Sequence, residues 1–322
     1  MKYHLITYGC QMNKADSERI AADLEKRGYK RALSAKEADL IVVNMCSVRQ
    51  SAVDRIFGMP MKLGGIKAKK VLTGCILKKD LAKFREIFDE IKKMPQRSCP
   101  SAFIPISNGC DNFCAYCVVP YARGRLICRP QQEIIKEIKG AVKSGLKEIW
   151  LLGQNVNDYR SKTANFAKLV KLVNDIPGDF KFFFMSPNPK NFSEELINTL
   201  AKCKKFGRRL NLPIQSGDDT ILKKMKRNYT TGQYQDLVAR IRKKMPDINL
   251  STDVIVGFPG ETKKQFENTV KLFKKINFDI AYISKYSSRP GTAASKLKDD
   301  VSLEEKKRRA KILMKLVKHP SI

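Results

Sequence analysis

Apolar positions in the first part of the chain come in short runs separated by stretches with helical spacing. Residues 3–8 (YHLITY) read as a strand, and Ile20 and Leu24 share one face of a helix that Asp16 can cap and Gly28 can end. Leu40–Val43 is a continuous apolar run of the kind expected in a strand buried on both faces, and Val71-Leu72 is a briefer one. Repeated strand–helix units predict a small parallel sheet, whose strand carboxyl ends lie along one edge, where ligands usually bind. These strands lead into Tyr8-Gly9-Cys10, Asn44-Met45-Cys46 and Thr73-Gly74-Cys75, so three cysteines distant in sequence can converge. Spacing alone also allows three small buried residues, because free Cys packs as a small hydrophobe.

Residues 80–100 read as a basic, helix-like stretch, and MPQRSCPSA (94–102) as a linker. The pattern therefore predicts two domains, 1–98 and 99–322. In the second, strands are expected near 102–107, 147–152, 180–185, 208–214, 250–256 and 279–285. Helices are expected near 131–144, 165–176, 193–203, 219–245 with a break, and 262–276. Six βα units predict an open, partial barrel with its chemistry at the strands' carboxyl ends. A last amphipathic, basic helix runs from Ser302 to Lys318, with Glu305 placed for a capping box, and should close the barrel.

Composition narrows the class. The chain has 322 residues, 43% of them hydrophobic, enough for real cores, and no stretch approaches the apolar length of a membrane span. The N-terminus lacks the layout of a signal peptide, so a cytoplasmic protein is expected. In a reducing compartment its nine cysteines point to metal or redox chemistry more than to structural disulfides. Lys and Arg number 63 against 32 acidic residues, and the formal charge of +31 favours a polyanionic partner such as nucleic acid. Scattered lysine pairs fit a simple lysine bias as well.

The chemistry sits in Cys110-Asp-Asn-Phe-Cys114-Ala-Tyr-Cys117, a CxxxCxxC loop. A four-iron four-sulfur cluster normally takes four thiolates, so three leave one iron open for a small-molecule ligand. The loop brings no His and no fourth nearby partner, which counts against a zinc site or a redox dithiol. His4 and His319 are the only histidines, leaving little material for a histidine-based triad. Cys99, Cys128 and Cys203 have no ligand spacing and read as structural thiols.

At this loop the chain resembles the radical S-adenosylmethionine (SAM) enzymes, and Tyr116 before the last cysteine fits that pattern. With the Cys10, Cys46, Cys75 set it resembles the methylthiotransferases. YGCQMN (8–13), CSVR (46–49), GCDNFCAYCVVPYARG (109–124), LLGQNV (151–156), LPIQSGDD (212–219), DVIVGFPGET (253–262) and SSRPGTAA (287–294) recur in order. The likeness is strongest to the branch that methylthiolates isopentenyl-adenosine beside the tRNA anticodon. Sister branches act on threonylcarbamoyl-adenosine in tRNA or on an aspartate of a ribosomal protein, and a noncatalytic iron–sulfur RNA-binding remnant is the alternative outside enzymes.

The resemblance implies an α/β fold, with an N-terminal parallel-sheet methylthiotransferase domain followed by a partial (β/α)6 radical-SAM barrel. It implies two four-iron four-sulfur clusters, one on Cys110, Cys114 and Cys117 and one on Cys10, Cys46 and Cys75, with SAM as radical source and methyl donor. No side-chain acid or base can deprotonate an unactivated aromatic carbon at neutral pH, so the cofactors carry the hard step. Tyr116, Gln154, Asn155, Gln215, Ser216, Gly257 and Glu261 are the implied SAM contacts. Asn13, Arg49, Arg123 and Arg289 are candidates for the substrate side. Implied partners are the tRNA anticodon stem-loop, an electron donor such as flavodoxin or ferredoxin, and a sulfur or cluster donor; a monomer is expected. The family's usual C-terminal RNA-binding β-barrel is expected to be absent, and the stretch from Cys75 to Cys110 is shorter than usual. Asn211 stands where a histidine is usual.

Overall fold

The computed structural model describes residues 1–9, 11–46, 50–76, 80–92 and 103–317. Its N-terminal part is a five-stranded parallel sheet of β1 (Lys2–Tyr8), β2 (Lys30–Arg31), β3 (Leu40–Cys46), β4 (Lys69–Cys75) and β5 (Glu90–Ile91), in the order β2-β1-β3-β4-β5. Helices α1 (Gln11–Lys26), α2 (Gln50–Phe57), α3 (Met59–Leu63) and α4 (Leu81–Arg85) cover it. The apolar run of β3 is continuous because both faces are buried. Ile41, Val43 and Met45 join Ile56, Met59 and Phe84 in one cluster, while Val42 joins Ile20 and Leu24 of α1 in another. Tyr8 is level with Met45, and Cys46 with Cys75, so the carboxyl ends of β1, β3 and β4 stand side by side.

The second part begins with β6 (Phe103–Pro105), β7 (Ser107–Asn108), α5 (Val119–Arg123), β8 (Ile127–Cys128), α6 (Gln131–Lys143) and β9 (Glu148–Leu152). It continues through α7 (Phe166–Asn174), β10 (Lys181–Phe184), α8 (Glu194–Lys202), β11 (Arg209–Asn211), α9 (Asp219–Lys224) and α10 (Thr231–Lys244). Then come β12 (Asn249–Val256), α11 (Lys263–Ile276), β13 (Ile280–Lys285) and α12 (Leu303–Met314). The expected partial barrel is formed by two parallel triplets, β6-β9-β10 and β11-β12-β13. A single parallel bridge from Phe182 to Phe206 continues the wall between them. Local signals hold up at the helix starts: Thr230 and Thr262 each form a full capping box, with Gln233 and Gln265.

Several local expectations are corrected. Asp16 does not cap α1 but lies inside it, where its carboxylate faces Arg19 and Arg123. Ser302 caps α12 by accepting from the Glu305 N–H, yet the box is not reciprocal, because the Glu305 carboxylate is taken by Arg308 and Arg309. Of the helical stretch expected over 80–100, α4 is helical and β5 is a strand instead, while 93–100 lies outside the described residues. The strand expected over 208–214 stops at Asn211, ahead of Pro213, which has no N–H to offer a neighbour. The antiparallel β7/β8 pair was not anticipated, and it brackets the cysteine loop. The linker over 94–102 lies outside the described residues, and among the described residues no helix is long and apolar enough to cross a membrane.

Buried charges tie the two parts together. Arg19 of α1 places Nη2 3.4 Å from Glu137 Oε1 of α6, and Arg129 places Nη2 2.7 Å from Glu137 Oε2. Asp16 Oδ2 lies 3.5 Å from Arg123 Nη2, and Arg123 also donates to Asn108 Oδ1 at 2.8 Å. The Glu137 side chain is only 1% exposed and that of Arg19 9%, so removing one member strands the others away from water. Glu137→Ala is expected to destabilise the chain by about 3 kcal/mol in urea unfolding. Arg27→Ala, which opens the exposed pair with Asp23, should cost less than about 1 kcal/mol.

Candidate cluster site and cofactor cavity

The CxxxCxxC loop leaves β7 at Gly109, whose φ of +80° suits glycine; a Cβ there would stand 2.1 Å from the Arg125 carbonyl oxygen. Its N–H donates to Gln154 Oε1 at 2.7 Å, so Gln154, at the end of β9, buttresses the loop. Ala115 in turn is pinned from both sides, its N–H donating to Met225 O and its carbonyl accepting from the Ala294 N–H. The Asn112 N–H points at Cys110 Sγ, 3.4 Å away.

Held this way, Cys110, Cys114 and Cys117 line one cavity of about 240 Å³ with Tyr116, Gln154, Asn155, Gln215, Arg227 and Asp253. Among the described residues no three His, Cys, Asp or Glu side chains are close enough to share a single ion. Three thiols spread around a common hollow suit a cluster, which takes each ligand on a different iron. Burial pushes the Cys117 thiol up to about 12 and raises that of Cys110. Deprotonating them for ligation therefore needs the positive charge that iron brings.

The same cavity asks for a polar ligand. Asn155 is 2% exposed, and neither its Oδ1 nor its Nδ2 has a hydrogen-bond partner. Leaving such groups unpaired costs on the order of 1–3 kcal/mol, which a ligand carrying both donors and acceptors would recover. Gln215 holds a φ of +70°, a conformation uncommon for a residue with a side chain, and also lines the cavity.

Comparison with known proteins agrees with this geometry. Residues 104–273 match the Radical SAM superfamily model, and residues 2–94 match "Uncharacterized protein family UPF0004". The chain is 41% identical to tRNA-2-methylthio-N(6)-dimethylallyladenosine synthase of Dehalococcoides mccartyi (strain ATCC BAA-2266), over 98% of this chain and 82% of that one. It is 38% identical to the enzyme of the same name from Clostridium botulinum (strain Langeland), over 98% and 81%. The chain belongs to this methylthiotransferase family. Among solved structures, the radical SAM methyltransferase TsrM of Kitasatospora setae matches 91% of this chain and 77% of its own at a TM-score of 0.66 and 15% identity. The cobalamin-dependent radical enzyme OxsB covers 99% of this chain and 58% of its own at a TM-score of 0.60 and 12% identity. These two likenesses concern the fold.

As a radical-SAM methylthiotransferase the chain is an enzyme that uses iron–sulfur clusters and SAM. Of the second set of cysteines, two stand on strands of the N-terminal sheet. Cys46 is buried at the end of β3, level with Cys75 of β4; Cys10 and Arg49 lie outside the described residues. A polar lattice steadies that edge. Asn13 Nδ2 donates to Asn44 Oδ1 and Met45 O, both at 3.0 Å, and Asn44 Nδ2 donates to Asn13 O at 2.7 Å. Gly74, at φ +112°, lets β4 approach Met45, where a Cβ would come within 2.1 Å of its carbonyl oxygen. Arg289, from the barrel's last loop, lies within electrostatic reach of Cys46 and Asp54, and burial lowers its pKa.

Not every expected residue joins the cavity. Asn13 and Arg123 are engaged in the lattice and in the interdomain pairs. Ser216, Gly257 and Glu261 lie outside the cavity lining. Ser216 accepts from the Asp218 N–H at 3.3 Å. Gly257 donates to Glu261 Oε2 at 2.6 Å, and Glu261 Oε2 lies 2.7 Å from Arg309 Nη1 of α12. A Cβ on Gly257 would meet Lys306 Cγ at 2.4 Å, so this glycine makes room for the closing helix. Cys203 sits in the barrel core with Leu196 and Leu200.

Sequence reasoning missed Arg227 and Asp253. Arg227 Nη1 lies 3.5 Å from Cys114 Sγ, and its Nε donates to Tyr229 Oη at 3.0 Å. No salt bridge to a carboxylate within 4.0 Å forms at Arg227 among the described residues, and its charge is felt by Asp253 across the cavity as well as by Cys114. The signal available was KMKRNY (224–229), but only folding brings it to Cys114, 113 residues earlier. A fixed cation beside a cluster favours the more negative, reduced form. Arg227→Met is expected to lower the potential of the Cys110/Cys114/Cys117 cluster by on the order of 50 mV, read by redox titration with electron paramagnetic resonance. Arg227→Lys should recover most of that shift, and an unchanged potential in the Met variant would rule out the charge effect.

Proposed function

We propose that the chain transfers a methylthio group to C2 of isopentenyl-adenosine beside the anticodon of tRNA. The observation that carries this reading is the convergence of three thiols and the unpartnered Asn155 on one cavity, in a chain similar along 98% of its length to enzymes named for that product. When bound, the two clusters and SAM supply the radical, sulfur and methyl chemistry that no side chain can.

The chain's own residues bind, orient and exclude. Cys110, Cys114 and Cys117 ligate the first cluster, and Gln154 fixes their loop. Tyr116, Asn155 and Gln215 face the SAM held there, Asn155 through its free amide. Cys10, Cys46 and Cys75 ligate the second cluster, and Asn13 keeps the strand ends in register. Arg49 and Arg289 serve the side where substrate enters, and Arg123 holds the two parts together. Ser216, Gly257 and Glu261 act by shaping the barrel edge. The two domains divide at 98/99. The wider partners are the anticodon stem-loop, a flavodoxin- or ferredoxin-like donor and a sulfur or cluster donor, for a monomer in the cytoplasm.

The test is expression in a bacterium deleted for its own tRNA methylthiolation but retaining isopentenyl-adenosine, with tRNA nucleosides analysed by mass spectrometry. Methylthio-isopentenyl-adenosine should appear. Its absence, with both clusters confirmed, would direct attention to threonylcarbamoyl-adenosine or the ribosomal-protein aspartate. Replacing Cys110, Cys114 and Cys117 together by Ala should cut iron and sulfide after anaerobic reconstitution to about half and abolish the product. One cluster or none in the unaltered chain would sink the two-cluster reading.

A further inference from the structure

The cysteine loop has an outer side as well as an inner one. Asn112, Cys114 and Val119 line the cavity, while Phe113, between the first two, is 38% exposed and Tyr121, two residues past Val119, is 51% exposed. The two rings meet edge to face, with centroids 5.8 Å apart and planes at 78°. Arg125 lies over Phe113 with its guanidinium carbon 4.8 Å from the ring centroid, and its side chain is 72% exposed. Its carboxylate neighbour, Asp111, is 3.7 Å away and is also approached by Arg160 at 3.2 Å. Two exposed aromatic rings and an exposed, planar cation thus cluster on the loop that carries the ligand cysteines. Exposed aromatic rings grouped with a planar cation favour an interaction site over scattered surface residues.

Resting on the RNA reading above, we propose that Phe113, Tyr121 and Arg125 form a stacking platform for the unpaired bases next to the target nucleotide. A base carbon cannot reach into the cavity while its ring is stacked in a loop, so the target must be drawn out of the stack. Its neighbours then lose a stacking partner, and aromatic and guanidinium planes on the loop that lines the cavity replace it. Every base has a flat π face, so the platform tolerates sequence and supplies grip. The charge of +31 and the flanking Arg160 complement the RNA backbone, which favours RNA over an acidic protein partner as occupant.

The probe is a synthetic anticodon stem-loop RNA with 2-aminopurine beside the target adenosine, titrated with the reconstituted chain at several salt concentrations. Tyr121→Ala and Phe113→Leu should each weaken binding by about tenfold, with the slope of log affinity against log salt unchanged. Tyr121→Phe should bind as the unaltered chain does. Arg125→Ala should weaken binding and reduce the slope by about one. Quenching of 2-aminopurine on binding should shrink in the Tyr121→Ala variant. Iron content is measured alongside; should Phe113→Leu lose iron, Tyr121→Ala, farther from the cysteines, still decides the matter. If both ring variants bind this RNA as tightly as the unaltered chain, the platform is overturned while the RNA reading stands. If they bind RNA normally but take electrons more slowly from a flavodoxin, the patch serves a protein, which also overturns it. Failure of the unaltered chain to bind the stem-loop would overturn the RNA reading and the platform together.

Discussion

A parallel sheet and a parallel barrel in one chain are useful to each other only if their carboxyl edges are held in a fixed relation. The buried ion pairs between α1 and the start of the barrel set that relation. Arg19 meets Glu137, Glu137 meets Arg129, and Asp16 meets Arg123, all on side chains largely removed from water. Charges in such a place are weak contributors to net stability but costly to separate, so they favour one docking geometry over others. The same helix α1 supplies Asn13 to the lattice behind the N-terminal strand ends. Docking and edge geometry are therefore set by one rigid element.

The cavity manages charge in the opposite way, by leaving it incomplete. Two thiols whose pKa burial raises, Cys110 and Cys117, a cation without a carboxylate within salt-bridge distance among the described residues and an amide with no hydrogen bonds make a poor protein interior. They make a good receptacle. Iron would ionise the thiols, the thiolates would answer Arg227, and a polar ligand would answer Asn155. Gln154, Gly109 and the paired bonds at Ala115 prevent the loop from relaxing these deficits away.

At the far edge of the barrel, motif residues serve the frame. The α12 helix is strongly basic, yet Lys306 and Arg309 are buried, Lys306 against Asp299 and Arg309 against Glu261. Gly257 lacks a side chain so that Lys306 can lie across it. Glycine and glutamate in the VIVGFPGE string thus couple the turn after β12 to the closing helix, and reach the cavity only through the strand that bears Asp253.

The sequence by itself determined the elements and the class of chemistry. Periodicity, caps and apolar runs act between near neighbours, so the barrel's strands and helices could be placed to within a few residues, and three thiols in one short loop announce a cluster whatever surrounds them. Misplacements came where ion pairs won over caps: Asp16 lies inside α1 beside Arg19 one turn on and Arg123 of the barrel, and Glu305 left its box for Arg308 and Arg309 in the next turn of its own helix. Only the tertiary structure decided which polar residues face the cavity. Arg227 meets Cys114 from 113 residues away along the chain, whereas Gly257 and Glu261 turn to α12. Those outcomes depend on long-range packing and on which buried charge finds which partner, and neither is written in the spacing of residues along the chain.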